Sequence, residues 1–410
     1  MYLIVIIVFL LLSYSVGLIS DYLNIKNLKE NLPQEFVGYY DEDKYKKSQN
    51  YLKDKTKFSF ISSTVMLIIS IIFILVGGFN LVDLFARSFG YGEILTGLIF
   101  VSLLFLLLEI IQIPFSAYNI FVIEEKYGFN KTTIKTFISD IIKNLILTFV
   151  IGLPIFALVT LFFIKYETVA WVYASVTVIL FELLITFMAP VFIMPLFNKY
   201  VPLEDCELKT ELEKYAKEQN FQMKGLYKMD GSKRSTKTNA FFTGFGKFRR
   251  IVLFDTLIAK HTTQELVSVL AHEMGHFKKG HIHKFMIMSF LNTIIIFFLL
   301  SLFIGNQGLF EAFKMQNVSV YAALIFFGFL YTPISMFLSV LQNIISRKYE
   351  FEADRYSVTT YKNPQAMIEA LKKLSADNLS NLTPHKMKVF MEYSHPPVLE
   401  RIKAIEKTDI

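Results

Sequence analysis

Residues 262–310 read TTQELVSVLAHEMGHFKKGHIHKFMIMSFLNTIIIFFLLSLFIGNQGLF. Two kinds of structure meet in this stretch. Thr262-Thr263-Gln264-Glu265 has the composition of a helix start, a threonine cap followed by acid in the first turn. Leu266, Val269 and Leu270 continue it at helical spacing. His272 and His276 then fall one turn apart on one face, where two imidazoles can share a zinc ion. Glu273 sits beside them, placed to take a proton from a water that the metal activates. Soon after the second histidine an uncharged run begins at residue 285 and continues to 310. That exceeds the roughly 20 apolar residues a helix needs to cross a bilayer. A metal-binding signature therefore sits at the foot of a membrane span.

Working outward, residues 2–20, 58–82, 144–164 and 315–346 also carry no charge. Two further runs are interrupted by a single acid, 94–123 by Glu109 and 168–198 by Glu182. Seven spans are predicted. The first has no basic start and no small-residue cleavage site, so it reads as a retained anchor rather than a signal peptide. Of the 42 lysines and arginines, 39 fall in the alternate stretches 21–57, 124–143, 199–284 and 347–410. Cytoplasmic segments carry such an excess. The pattern puts the N-terminus outside and the C-terminus in the cytoplasm.

Composition agrees with the spans. Hydrophobic residues make up 53% of the 410-residue chain, and charged residues only 19%, below the roughly 25% of a soluble domain. The net charge of +7 follows membrane sidedness, which removes the nucleic-acid reading that a basic chain would otherwise invite. One cysteine, Cys206, excludes an internal disulfide and has no partner nearby in sequence; it reads as a bystander. Glu109 and Glu182 are costly in lipid, and each either lines an internal cavity, sits near an interface or pairs within the bundle. Pro114, Pro190 and Pro195 predict kinks.

A catalytic zinc takes three protein ligands and keeps a position for water. From the residues alone, the third ligand is one of Glu350, Glu352, His281, His283 or His395. Ser346–Asp354 continues the last span as a helix, with Glu350 and Asp354 on one face and Glu352 pointing roughly the other way. A same-face Asp354 suits the task of accepting the free N–H of a liganding histidine. His281 and His283, at the membrane edge of span six, read as interfacial.

At these residues the chain resembles the Ste24-type CAAX prenyl proteases, membrane zinc endopeptidases of the M48 class. Six blocks carry the resemblance in order: Phe121–Asn130, Thr238–Phe245, Arg250–Leu257, His272–His276, Glu350–Asp354 and His395–Arg401. The resemblance implies that His272, His276 and Glu350 hold one zinc ion per chain and that Glu273 is general base and acid. It implies that Asp354 backs a ligand, and that His395 and Arg401 lie near the metal to stabilise the tetrahedral intermediate or position substrate. Asn239 and Ala240 would lie on an edge strand to which a substrate peptide adds. On their own, Asn239 is an ordinary turn residue and His395, ahead of Pro396-Pro397, an ordinary helix-start residue.

The expected fold is an α-helical integral-membrane protein with seven transmembrane helices; the resemblance implies that they enclose a chamber and carry a gluzincin-like α+β zinc protease domain on the cytoplasmic side. Residues 1–198 form the membrane region with spans one to five. Residues 199–410 form the peptidase domain with spans six and seven. The expected function is zinc-dependent hydrolysis of peptide bonds, on C-terminal, prenylated peptides, by a monomer whose partners are a lipid-modified peptide or protein and membrane lipids. Two readings compete: a quality-control protease clearing misfolded membrane chains, and a non-catalytic transporter or translocon factor with a vestigial site. The intact His272, Glu273, His276 and Glu350 set argues against the last. Abundant Lys, Ile, Asn and Phe suggest an AT-rich genome and favour a bacterial inner membrane over an endoplasmic reticulum.

Overall fold

Long uncharged stretches become helices because a bilayer offers no partner for backbone N–H and C=O groups, so each segment must satisfy its own. A computed structural model of the chain describes residues 1–243 and 250–409. The membrane part begins with α1 (Tyr2–Lys26), α2 (Glu42–Leu75) and α3 (Glu93–Tyr118). Next comes a helical stretch, Ile134–Phe197, that contains α4 (Leu153–Tyr166) and α5 (Ala170–Met188). It folds back on itself at Glu167, whose φ of 37° and ψ of −102° break the helix. Across that reversal Tyr166 packs on Tyr173, ring centroids 4.7 Å apart. Among the described residues, six continuous helical stretches are thus long and apolar enough to span a membrane, and counting both arms of this one gives the seven crossings expected.

Only 6–22% of the residues in the apolar windows of these helices are buried against protein. Most of their surface faces lipid or the bundle interior. Apolar packing among the spans concentrates at the end away from the β-sheet. There Phe79 stands edge-on to Phe313 and Phe326, which stack face to face at 3.8 Å. Glu182 is paired within the bundle: Ser289 and Thr293 donate to its carboxylate at 3.1 and 2.8 Å. Pro190 lies in a π-helical turn, Ala189–Ile193, and Pro195 starts the short helix after it. Pro114 lies inside α3, just ahead of a second π-helical turn, Asn119–Glu124.

The part after the fifth crossing starts with β1 (Tyr200–Pro202), α6 (Glu207–Glu218), β2 (Gly225–Met229), β3 (Ala240–Thr243) and β4 (Arg250–Phe254). Sheet order is β1-β2-β4-β3, with β2 and β4 parallel and the outer pairs antiparallel. Ile251, Val252 and Leu253 of β4 are all but fully buried, as a strand covered on both faces requires. Two helices follow, α7 (Thr263–Lys278) and α8 (His281–Ser301), the latter being span six. Span seven belongs to α9 (Val320–Tyr361), 42 residues without a break. Two amphipathic helices, α10 (Pro364–Asp377) and α11 (Val398–Glu406), close the domain. Cys206 is exposed. Of the Thr238–Phe245 block, Gly244 and Phe245 lie outside the described residues.

Candidate metal centre

The helix that presents the histidines is fixed at its start and along its buried face. Thr262 accepts from the Glu265 backbone N–H at 3.3 Å, and the Glu265 side chain accepts from the Thr262 N–H at 3.1 Å. This reciprocal cap satisfies two otherwise orphaned donors and is worth about 1 kcal/mol. Leu266, Val267, Leu270, Ala271 and Met274 are buried in one apolar cluster with β2, β4 and α6. Their packing sets the rotation of α7, and that rotation turns His272 and His276 toward α9.

Glycine makes the approach of α9 possible. A Cβ on Gly275 would lie 3.0 Å from the Ala353 Cα and 3.2 Å from its carbonyl oxygen. The two backbones are therefore in direct contact one residue from a histidine of the site. Because α9 leaves the membrane as one rod, it delivers Glu350 and Asp354 to this crossing.

The result is a compact donor set. His272 Nε2 and His276 Nε2 are 3.2 Å apart. Glu350 Oε2 lies 3.4 Å from the first and Oε1 lies 3.2 Å from the second. Two ligands about 2.1 Å from a tetrahedral zinc are separated by about 3.4 Å. All three observed separations fall near that edge length. Glu350 Oε2 is buried and accepts no hydrogen bond among the described residues; Arg401 Nη1 and His272 Nε2 approach it at 3.4 Å each, which leaves room for a metal cation to meet the oxygen more closely. Donor types, spacing and the loosely partnered carboxylate oxygen fit zinc. Among the described residues, this trio is the one group of three such side chains close enough to hold a metal.

Around the trio sits a buried ionic frame. His272 Nδ1 is 2.8 Å from Asp354 Oδ1. Arg401, from α11, grips Asp354 with Nε at 2.8 Å and a terminal nitrogen at 2.6 Å. Burial acts to raise the Asp354 carboxyl, but the Arg401 charge and hydrogen bonds outweigh it and hold it below the usual range. Burial pushes Glu273 up, so its carboxylate is more basic than an exposed one; the His272 and His276 rings oppose part of that rise. His395 Nε2 is 3.4 Å from Glu350 Oε1, with the imidazole otherwise exposed to the cleft. The cap of α11 is Pro397, so His395 is not the helix-start residue its position suggested.

Ala240 begins β3, which forms one edge of the sheet among the described residues, and Asn239 precedes it. Asn239, His395 and Arg401 line a common cleft of about 560 Å³ with Thr238, Asn378 and Tyr393. The structure brings His272, His276, Glu350, Asp354, Arg401 and His395 together at one crossing, with Asn239 on the adjoining cleft and Ala240 on the strand that follows it.

Three features were not anticipated. His281 is buried rather than interfacial, 1% exposed, with its Nδ1 3.1 Å from His276 Nδ1; His283 does face outward. Glu352 receives His281 Nε2 at 3.1 Å. Finally, Asn378 brackets the strand entry, accepting from the Thr238 N–H at 3.0 Å and donating to the Thr238 carbonyl at 3.1 Å. The Phe121–Asn130 block lies on the other side of that segment. Its Glu124 takes Lys237 Nζ at 2.8 Å and the Tyr51 hydroxyl at 2.5 Å.

Two family descriptions match successive parts of the chain. Residues 21–199 match the family described as CAAX prenyl protease N-terminal, five membrane helices, and residues 202–409 match peptidase family M48. The chain is 34% identical to the CAAX prenyl protease 1 homolog of Mus musculus, covering 97% of this chain and 94% of that one. It is 34% identical to CAAX prenyl protease 1 of Saccharomyces cerevisiae, covering 92% and 88%. The crystal structure of S. mikatae Ste24p superposes with a TM-score of 0.94 at 33% identity, over 99% of both chains.

Proposed function

The chain belongs to peptidase family M48, as an integral-membrane zinc metalloprotease of the CAAX prenyl protease 1 type, and on that premise we propose how its residues divide the work. His272, His276 and Glu350 hold one zinc ion per chain. The observation that carries this reading is the mutual approach of their three ligand atoms beside Glu273. Bound there, zinc supplies Lewis acidity, which makes a water easier to deprotonate and a carbonyl easier to attack. Glu273 takes the proton from that water as its oxygen adds to the scissile carbonyl carbon. The same carboxyl then returns the proton to the amide nitrogen as the C–N bond breaks. His395 faces the developing negative charge on the carbonyl oxygen, and Arg401 acts chiefly by fixing Asp354 and thereby His272.

Substrate peptide adds to the β3 edge at Asn239 and Ala240, taking main-chain hydrogen bonds from the strand. The named relatives are prenyl proteases, and we propose the same substrate class: the C-terminal peptide of a lipid-modified protein. Support comes from the extent of the match, which runs over nearly the whole of both chains. The working unit is a monomer, with residues 1–198 forming the membrane region and 199–410 the peptidase domain. The basic residues place the N-terminus outside and the catalytic residues in the cytoplasm. Residue composition favours a bacterial inner membrane for this chain, while the curated relatives named above are eukaryotic.

The test is Glu273→Gln, assayed on a prenylated C-terminal peptide and on a denatured membrane protein. Zinc content should stay at the wild-type level while turnover of the prenylated peptide falls by about 10³-fold or more. Near-normal turnover would remove Glu273 from the reaction. Faster wild-type cleavage of the denatured protein would instead favour the quality-control reading.

A further inference from the structure

His281 stands outside the ligand set, yet it is among the most buried polar side chains in the protein. Gly280 explains its placement. With φ of +70° it adopts the left-handed turn that a side chain would oppose, and it brings the start of α8 back against the end of α7. Tyr349 then stacks on the His281 ring, centroids 4.0 Å apart and planes within 6°.

The hydrogen-bond directions along this side of the site can be worked out. His276 Nε2 is the nitrogen turned toward His272 and Glu350, 3.2 Å from an atom of each. Used as a ligand, that nitrogen is bare, so the ring proton sits on Nδ1. His276 Nδ1 lies 3.1 Å from His281 Nδ1, which must therefore accept. The His281 proton is then on Nε2, and this faces Glu352 Oε2 at 3.1 Å. Every group has a partner of the right kind, and the series ends on a carboxylate.

We propose that His281 and Glu352 form a positioning relay for His276, the counterpart of the Asp354–Arg401 support behind His272. Both liganding imidazoles are then backed by carboxylates of α9, His272 directly and His276 through a second imidazole. The relay locks the His276 tautomer and ring plane and makes Nε2 a stronger donor. Partners of this kind typically change metal affinity by roughly 10–100-fold. The inference rests on His276 being a metal ligand, as argued above.

A structural role for His281, as a ring filling space beneath Tyr349, makes a different prediction. The experiment measures zinc dissociation into a chromogenic chelator, with thermal unfolding of the zinc-free protein as a fold control. His281→Phe keeps an aromatic ring beside Tyr349 but removes the acceptor. Zinc should leave roughly 10–100-fold faster with the zinc-free melting temperature unchanged. His281→Asn, whose side-chain oxygen can take the place of Nδ1, should recover part of that loss. Glu352→Gln should show a smaller effect, and none when added to His281→Phe. The visible spectrum of the cobalt-substituted protein should shift in His281→Phe. Wild-type zinc retention and spectrum in His281→Phe would overturn the relay, as would equal losses in the Phe and Asn variants. Failure of the wild-type protein to hold zinc would instead overturn the metal-site reading itself.

Discussion

Replacing Gly275 by alanine isolates the contact on which the donor geometry depends. Two effects oppose each other. In an exposed helix interior, glycine to alanine gains about 1 kcal/mol. Here the added methyl carbon would lie 3.0 Å from Ala353 Cα, 3.1 Å from Tyr356 Cβ and 3.2 Å from the Ala353 carbonyl oxygen. Carbon–carbon contacts are most favourable at about 3.5–4.0 Å, so α7 and α9 must separate by about half an ångström or more. Backbone atoms cannot step aside as the end of a side chain can. Overpacking of this kind costs about 1–3 kcal/mol, which outweighs the gain in helix propensity. The consequence for the metal is sharper than for the fold. Metal–ligand distances tolerate about 0.2 Å, and His276 and Glu350 sit on opposite sides of the widened crossing. Gly275→Ala should therefore weaken zinc binding by at least about tenfold, measured by chelator competition on detergent-purified protein. Adding Ala353→Gly should not rescue it, because that change removes none of the obstructing atoms, which are the Ala353 backbone and the Tyr356 Cβ. Wild-type zinc affinity in Gly275→Ala would show that the crossing does not set the donor spacing.

Two further predictions concern the surrounding frame. Arg401→Met leaves Asp354 buried with the His272 N–H as its remaining close partner and should cost about 3–5 kcal/mol, seen as a lower melting temperature even without zinc; an unchanged melt would mean that the pair contributes nothing to the fold. Asn378→Ala removes both hydrogen bonds that bracket Thr238 and should raise KM for peptide while kcat changes little, since it loosens the entry to β3 and not the metal; a fall confined to kcat would contradict substrate addition at that edge.

The spans, the histidine helix with its threonine cap, and the unbroken passage of the last span into the Glu350 helix were all legible, because each depends on local periodicity. The placing of Asp354 was also legible, since residues four apart share a helix face. His281 was misread for an identifiable reason. Next to an apolar run, a histidine looks like an interfacial anchor, and a glycine turn that folds it onto the preceding helix leaves no periodic trace. Gly280 was the available signal, a glycine between two strong helical patterns. Glu352 was set aside because it points away from Glu350, and that divergence is what carries it to the far side of His276. Asn378 left no signal, since its partner lies 140 residues earlier in the chain. Glu182 could not be assigned from sequence because Ser289 and Thr293, one turn apart on α8, look like ordinary small polar residues of a span.

The unbroken α9 makes the protease sensitive to the mechanics of its bilayer. Some 30 residues at 1.5 Å each separate Val320 from Glu350, a lever of about 45 Å. A tilt of one degree about its far end would swing the tip by about 0.8 Å, several times what metal coordination tolerates. Pro333, within the lipid-embedded part of the rod, is where such bending would concentrate. Membrane thickness and lateral pressure thus act on the same continuous helix that carries Glu350, and the choice of lipid or detergent becomes a variable of the catalytic assay rather than its background.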